Sequence, residues 1–355
     1  MSVRYSGIGW NRHKRVYDAA IVLGMVAFLA VFFVISQWRF DAGSAPDPAV
    51  SLMRAFGACA IVLLHIVLCI GPLARLDRRF LPLLYNRRHL GVSMFLVSLL
   101  HAVVAFGYYH GFGGQNPLRS LLVNTTRGGI PFEIFGLGAL LILFLMAATS
   151  HDFWLKNLSP RIWKSLHMGV YVAYILLIAH VGFGALAGNR GPLLFALMAI
   201  GAVNVASLHI AAGTREVKRD RGSSASAAGQ GDQSWVDVCA VDDIPEKRAV
   251  IACLRGGERI AVFRHDGKIS AVSNVCEHQN GPLGEGQIID GCITCPWHGY
   301  QYLPESGRSP PPFTERIATY HVRIVAGNVQ VDPRPNAKGT PVEPARIHAH
   351  SRGSP

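Results

Sequence analysis

The stretch TREVKRDRGSSASAAGQGDQSW, residues 214–235, divides the chain into two parts of different physical character. Before it, long apolar runs recur as far as Ala212. After it, from Trp235, the apolar runs are short and rich in β-branched residues. The stretch itself has Gly222, Ser223, Ser224, Ser226 and Gly229 to Gly231 and no apolar periodicity, so residues 213–233 are expected to form a flexible linker. Charge changes at the same place. Residues 1–222 hold 21 Lys and Arg against 8 Asp and Glu, and residues 223–355 hold 13 against 14. The net charge of +12 over 355 residues therefore belongs to the first part. A generally basic nucleic-acid binder, a disordered chain and a single soluble enzyme all fit that asymmetry poorly, as does a charged fraction of only 16%.

Upstream of the divide, six apolar stretches fall at about 17–36, 55–73, 89–109, 131–149, 165–186 and 192–211. Each is close to the roughly 20 residues that cross a hydrocarbon core. Residues 1–212 are thus expected to be an α-helical six-span transmembrane bundle in a lipid bilayer. The first stretch lacks a small-residue cleavage site and further spans follow it, so it does not read as a cleaved signal. With the N-terminus inside, sixteen basic residues face the cytoplasm and only Arg39, Arg54, Arg119, Arg127 and Arg190 face outward. That bias puts both termini on the cytoplasmic side of a bacterial-type inner membrane.

Downstream, Ala249 to Cys253, Arg259 to Phe263, Ile269 to Val272 and Val322 to Val325 are strand-like runs. They are punctuated by Gly256-Gly257, Asp266-Gly267 and Gly327-Asn328. These are hairpin signals, so residues 234–333 are expected to be a small all-β domain. The tail, 334–355, is rich in Pro, His and Ser and is expected to be disordered.

Seven cysteines in a cytoplasmically disposed chain argue for metal chemistry over a disulfide framework. The informative set is Cys276-Glu277-His278, then sixteen residues, then Cys295-Pro296-Trp297-His298. Two thiolates and two imidazoles suit tetrahedral zinc, or a [2Fe-2S] cluster with both Cys on one iron and both His on the other. A zinc finger tends to pair Cys with Cys and His with His. Here each loop supplies one of each, which suits two loops gripping a two-iron cluster from opposite sides. Cys292 completes a Cys-x-x-Cys with Cys295, but reads as a buried core residue, like Cys239 and Cys253.

Those pairs, with Gly281-Pro282-Leu283 after the first and Gly299-Tyr300-Gln301-Tyr302 after the second, resemble a Rieske [2Fe-2S] domain. The resemblance implies Cys276, His278, Cys295 and His298 as ligands. Rieske proteins of quinol-oxidising complexes carry an extra cysteine in each cluster loop. This chain has Gly281 and Trp297 there and resembles the ferredoxin and oxygenase branch, which implies a lower potential within a range of about −150 to +300 mV.

Ionisable residues inside a membrane usually mark a function. His65, His101, His167 and His180 lie within the expected spans. His167 and His180 are separated by about 20 Å along one helix, near opposite leaflets, and His101 lies about 18 Å beyond His89 at the outer level. His65 lies in the cytoplasmic half, nearer the level of His167. Two pairs at two depths are what two stacked b-type haems need. Residues from about 50 to 213 resemble the ferric reductase-like transmembrane domain, particularly haem-binding membrane subunits of methionine-sulfoxide reductase systems. The resembling segments are Gly71 to Arg75, Asn86 to Gly91 with His101, and Thr149-Ser150 through Trp163 to His167 and on to His180. The resemblance implies His101 and His180 as one haem pair and His167 as a third ligand. Depth along the spans selects His65 as the partner of His167, with His89, at the cytoplasmic boundary, as the alternative. His209, on the last span, reads as a packing residue. Glu133, near the outer end of the fourth span, is a candidate proton relay.

Together these parts make a one-electron wire: a cytoplasmic [2Fe-2S] cluster tethered to one or two b-type haems. No Gly-rich nucleotide fingerprint or flavin domain is present, so the expected donor is a cytosolic reductase or ferredoxin. The expected acceptor lies at the outer face: ferric iron, quinone, oxygen or a periplasmic oxidoreductase. Reverse flow from quinol, or a Rieske module that senses redox state and gates the membrane domain, uses the same parts. A Rieske oxygenase would need a further mononuclear iron domain, for which the tail is too short. No nucleic-acid partner is expected.

Overall fold

The computed structural model describes residues 12–38, 46–84, 87–111, 116–123, 129, 131–151, 154, 158, 160–187, 192–228, 235–254, 258–278, 280–297, 299–311 and 313–347. The chain divides into two compact units, one containing Trp10–Pro72 and Asn86–His209, the other Leu73–Tyr85 and Ile210–Pro355.

Among the described residues the helices of seven or more residues are α1 (Arg12–Trp38), α2 (Pro48–Leu76), α3 (Arg87–Phe106), α4 (Pro117–Val123), α5 (Phe132–Ala148), α6 (Pro160–Val181) and α7 (Pro192–Ala228). Four of them begin on proline, whose fixed φ and missing N–H cost nothing at a first helical position. Both α3 and α6 run on into single π turns, Gly107–Gly111 and Gly182–Leu186. The side chains turned outward are apolar, among them Leu23, Val26, Leu141, Ile175, Phe195 and Val203, as a lipid-facing surface requires. Small residues mark the helix crossings. Ala139 on α5 and Ala173 on α6 are fully buried, and a Cβ on Gly169 would lie 3.1 Å from Ile142.

Among the described residues, five segments are long and apolar enough to cross a membrane: Arg15–Trp38, Pro48–Leu76, Arg87–Gly111, Ser165–Leu186 and Pro192–Lys218. The stretch expected as a sixth span is α5, an apolar helix of 17 residues, about 25 Å long.

The linker expectation needs correcting. Residues 213–228 continue α7, and only 229–234 lie outside the described residues. The physical reason is local. There is no proline from Leu193 to Ala228, and eight of the fifteen residues from Thr214 to Ala228 are Arg, Lys, Glu or Ala, all good helix formers.

Among the described residues the β domain has eleven short strands, β1 (Val236–Ala240), β2 (Ala249–Cys253), β3 (Arg259–His265), β4 (Lys268–Ser273), β5 (Gln287–Ile289), β6 (Cys292–Thr294), β7 (Gln301–Tyr302), β8 (Thr319–Tyr320), β9 (Val322–Val325), β10 (Asn328–Val331) and β11 (Ala345–Arg346). They form sheets β1-β10-β9, β11-β4-β3-β2 with β8 also on β4, and β5-β6-β7. The β3–β4 hairpin turns on Asp266-Gly267, both at positive φ. It is buried on both faces, which explains the unbroken apolar run Ile260 to Phe263. Ala261, Phe263 and Val272 point into a core with Cys276, Cys295 and Tyr302. Ile260, Val262 and Ala271 point into a second core with Tyr320, Val329 and Val331. Each large side chain fully buried there stabilises the fold by about 1.5–3 kcal/mol.

The disordered-tail expectation also fails for residues 334–347. Asn336, Gly339 and Val342 donate backbone N–H bonds to the carbonyls of Thr319, Ile317 and Glu305, and β11 pairs with β4. Backbone hydrogen bonding, which composition does not reveal, holds this polar segment down. His348 and His350 lie outside the described residues.

Candidate cofactor sites

The two Cys-His loops of the β domain are built alike. In the first, Cys276 N–H donates to Gly281 O at 2.9 Å and Asn280 N–H to Cys276 O at 2.7 Å. In the second, Cys295 N–H donates to Tyr300 O at 2.8 Å and Gly299 N–H to Cys295 O at 2.9 Å. Each loop turns through a left-handed residue four positions after its cysteine, Asn280 at φ 58° and Gly299 at φ 74°. In the second loop the left-handed residue is itself the glycine, whereas in the first it is Asn280 and Gly281 follows it. β6 leads into the second loop and β7 leaves it. A Val275–Pro282 bridge closes the first.

Both thiols, Cys276 and Cys295, are buried and neither is in a disulfide. A Cβ on Gly281 would sit 2.6 Å from Cys295 Sγ and 3.3 Å from the Trp297 ring, so the first loop lies directly on the second and only glycine fits there. The His278 ring is stacked on Tyr300 at 4.6 Å and 8°. His298 lies outside the described residues. Two buried thiols of like geometry, one per loop, with an imidazole held flat beside them, fit a [2Fe-2S] cluster of mixed sulfur and nitrogen ligation.

Cys292 stays apart from this chemistry. Burial, followed by the nearby carboxylates of Glu305 and Asp290, pushes its thiol up to about 11, so it remains a protonated core residue.

A residue to which the sequence assigned no role is Tyr302, the last of the Gly299–Tyr302 motif. Its hydroxyl lies 3.4 Å from Cys276 Sγ, and burial followed by the neighbouring Cys276 keeps it protonated and able to donate. A bond to a ligand sulfur favours the reduced, more negative state. Tyr302→Phe is therefore expected to lower the cluster potential by about 60 mV, the one-electron equivalent of about 1.4 kcal/mol. Protein-film voltammetry would read the shift.

In the helical unit, His101 on α3 and His180 on α6 face each other with ring centroids 6.2 Å apart and planes at 80°. Both are held by the same device. His101 Nδ1 donates to Met53 O on α2 at 2.9 Å, and a Cβ four residues on, at Gly57, would lie 3.1 Å from that nitrogen. His180 Nδ1 donates to Phe132 O at 3.0 Å, and a Cβ four residues on, at Gly136, would lie 2.8 Å away. A carbonyl fixes each tautomer and a glycine makes room for each ring, so that Nε2 of each is the nitrogen that could ligate a metal. Two metal–imidazole bonds of about 2.0 Å and the two half-rings fill a separation of this size, so the pair fits bis-histidine ligation. The glycines were not singled out by sequence. Their signal is a small residue four positions after the carbonyl that receives a helix-buried histidine.

His65 and His167 are placed differently. His65 Nε2 meets the Tyr174 hydroxyl at 2.9 Å, and its ring leaves no room for a Cβ on Gly201. His167 is stacked on Trp163 at 3.7 Å, bonds Trp163 O through Nδ1 and has Ser150 Oγ 3.5 Å from Nε2. His89 bonds Asp18 on α1, and His209 bonds Tyr171.

Comparison with known proteins divides the chain in the same way. Residues 234–321 match the Rieske [2Fe-2S] domain and residues 56–178 the ferric reductase like transmembrane component. The anthranilate 1,2-dioxygenase ferredoxin subunit of Burkholderia cepacia is 34% identical over 28% of this chain and 91% of its own length. The protein-methionine-sulfoxide reductase heme-binding subunit MsrQ of Cronobacter sakazakii is 32% identical over 53% of this chain and 90% of its own length. That of Bordetella pertussis is 28% identical over 51% and 83%. The chain belongs to the ferric reductase like transmembrane family through its helical part and to the Rieske [2Fe-2S] family through its β domain.

Proposed function

We propose that this protein carries electrons across a bacterial inner membrane. They pass from a cytosolic reductase or ferredoxin, through the Rieske domain on the cytoplasmic side, to b-type haem in the helical bundle and an acceptor at the outer face. The observation that carries the proposal is the His101–His180 pair, anchored by Nδ1 on both sides, in the same chain as a Rieske domain. The heme-binding and ferredoxin descriptions of the relatives support both ends of it. In this reading all six apolar segments span, with α5 as the fourth and both termini cytoplasmic, as the sixteen-to-five charge bias favours.

When bound, the cluster and a b-type haem each exchange one electron at a time, which suits relay. The chain's own residues position these groups and exclude water from them. Cys276, His278, Cys295 and His298 would hold the cluster, and Tyr302 would bias its potential. His101 and His180 would hold the outer haem, with the Met53 and Phe132 carbonyls orienting them. In the two-haem form of the proposal His167 and His65 would hold an inner haem, for which His65 would have to give up its bond to Tyr174.

Rapid mixing with a reduced ferredoxin tests the order of events. Haem reduction in the purified protein is expected to follow cluster reduction, and to slow by at least about a hundredfold in a Cys276→Ser variant. Equal rates in the two proteins would reject the route through the Rieske domain.

A further inference from the structure

At the outer end of the helical bundle, in the topology proposed above, lies a buried polar triad that the electron route leaves unused. His110, in the π turn that ends α3, is 4% exposed. Its Nε2 is 2.8 Å from Glu133 Oε2, at the start of α5, and its Nδ1 is 2.8 Å from Ser120 Oγ on α4. Single π turns are costly interruptions that recur at functional sites, and this one delivers the imidazole between two other elements.

The bonding defines what the triad can do with a proton. With Glu133 ionised, Nε2–H donates to the carboxylate and Nδ1 accepts from the Ser120 hydroxyl. A proton arriving at Nδ1 requires only that the Ser120 hydroxyl rotate from donor to acceptor, because a hydroxyl can play either part. No heavy atom has to move. Ser120 is half-buried and its helix neighbour Arg119 is exposed, so the hydroxyl stands between solvent and the buried imidazole. Glu133 directly follows Phe132, whose carbonyl receives His180 Nδ1–H and whose ring packs on His180 at 5.4 Å. Charge added at the His101–His180 site is therefore felt one residue away along α5. Among the described residues, the other titratable side chains at this end of the bundle are Tyr108 and Tyr109 in the turn, Arg119 on α4, His101 on α3, His180 on α6, and Asp47 and Arg54 at the start of α2. Arg127, between α4 and α5, lies outside the described residues.

The geometry points to His110, Ser120 and Glu133 as a proton-loading site coupled to electron arrival at the outer histidine pair. This inference rests on the haem reading of that pair. One electron enters from the cytosolic donor and one proton enters from outer water, through Ser120 Oγ to His110 Nδ1, forming the Nδ1–H bond. Both leave together to an acceptor whose reduction consumes a proton, such as a quinone, which takes two electrons and two protons in two such rounds. Ser120, His110 and Glu133 are thus positioning and proton-holding residues beside the redox site.

The test is a potentiometric titration of the low-spin haem in the full-length protein across the neutral pH range. The wild-type potential is expected to fall as pH rises, with one proton taken up per electron. In Glu133→Gln and His110→Asn it is expected to become independent of pH while haem content is kept. A second measurement uses Ser120→Ala, with a pH-indicator dye reporting proton uptake after rapid reduction, where the rate is expected to fall about tenfold. A pH-independent wild-type potential, or the same pH dependence in both variants, overturns the proton site and leaves the haem reading standing. Absence of any low-spin haem from the wild-type protein overturns both. If Glu133→Gln fails to fold, an unchanged uptake rate in Ser120→Ala overturns the proton site.

Discussion

Alanine at His101 or at His180 is expected to abolish the low-spin b-type haem of the outer pair, leaving at most a residual high-spin species, as read by pyridine haemochrome and absorption spectra. In the proposed site each imidazole would be one of the two haem ligands, so losing either removes half of the protein's hold on the iron. The sharper form of the same prediction leaves both ligands in place. Gly136→Val puts a branched side chain where even a Cβ would lie 2.8 Å from His180 Nδ1, so the ring must rotate away from His101 and its bond to Phe132 O must break. Haem content is expected to fall as far as in His180→Ala. Gly91→Ala, on α3 with nothing within 4 Å of the added carbon, is the control and is expected to retain full haem. Full low-spin haem in both alanine variants would remove the outer site from the account.

The second large effect is at the other end. Serine at Cys276 or Cys295 is expected to eliminate the two iron and two labile sulfide of the cluster, together with the paramagnetic signal of its reduced form. The fold should survive. Both positions sit in the core with Phe263, Leu283 and Tyr302, and serine is close to cysteine in volume. Cys292→Ser, three residues away, is expected to keep the cluster, since that thiol stays protonated in the core. Stoichiometric zinc in place of iron in anaerobically prepared wild-type protein would contradict the assignment.

Much of this was legible in the sequence because its signals are local. The runs Ala249 to Cys253, Arg259 to Phe263 and Ile269 to Val272 became β2, β3 and β4. Apolar runs located the long helices. The Cys-His loops stood out because ligand spacing is a property of a few neighbouring residues. What escaped the sequence depends on contacts between distant segments. β5, β6 and β7 are only two or three residues long, too short for periodicity, and exist because they frame the second cluster loop. The tail from Arg334 to Ile347 looked featureless because backbone hydrogen bonds hold it in place. Helix α7 outran the expected linker because helix propensity persists where hydrophobic periodicity stops.

The histidines divide along the same line. Depth along the helices sufficed to put His101 and His180 at one level, since rise per residue is fixed. Depth says nothing about rotation around a helix axis. His65 turns toward Tyr174 and Gly201, while His167 stacks on Trp163. Gly57 and Gly136 went unnoticed because a glycine in an apolar helix is common, and its meaning appears only once a neighbouring ring occupies the space.

The most direct test of the transmembrane route is reconstitution of the loaded protein in sealed vesicles. A membrane-impermeant reductant is supplied only on the side carrying the Rieske domain, with a ferric chelate or quinone acceptor only on the other. The account predicts reduction of the far-side acceptor at a rate that collapses in both Cys276→Ser and His180→Ala. A far-side acceptor that stays oxidised while cluster and haem are both reduced would contradict it.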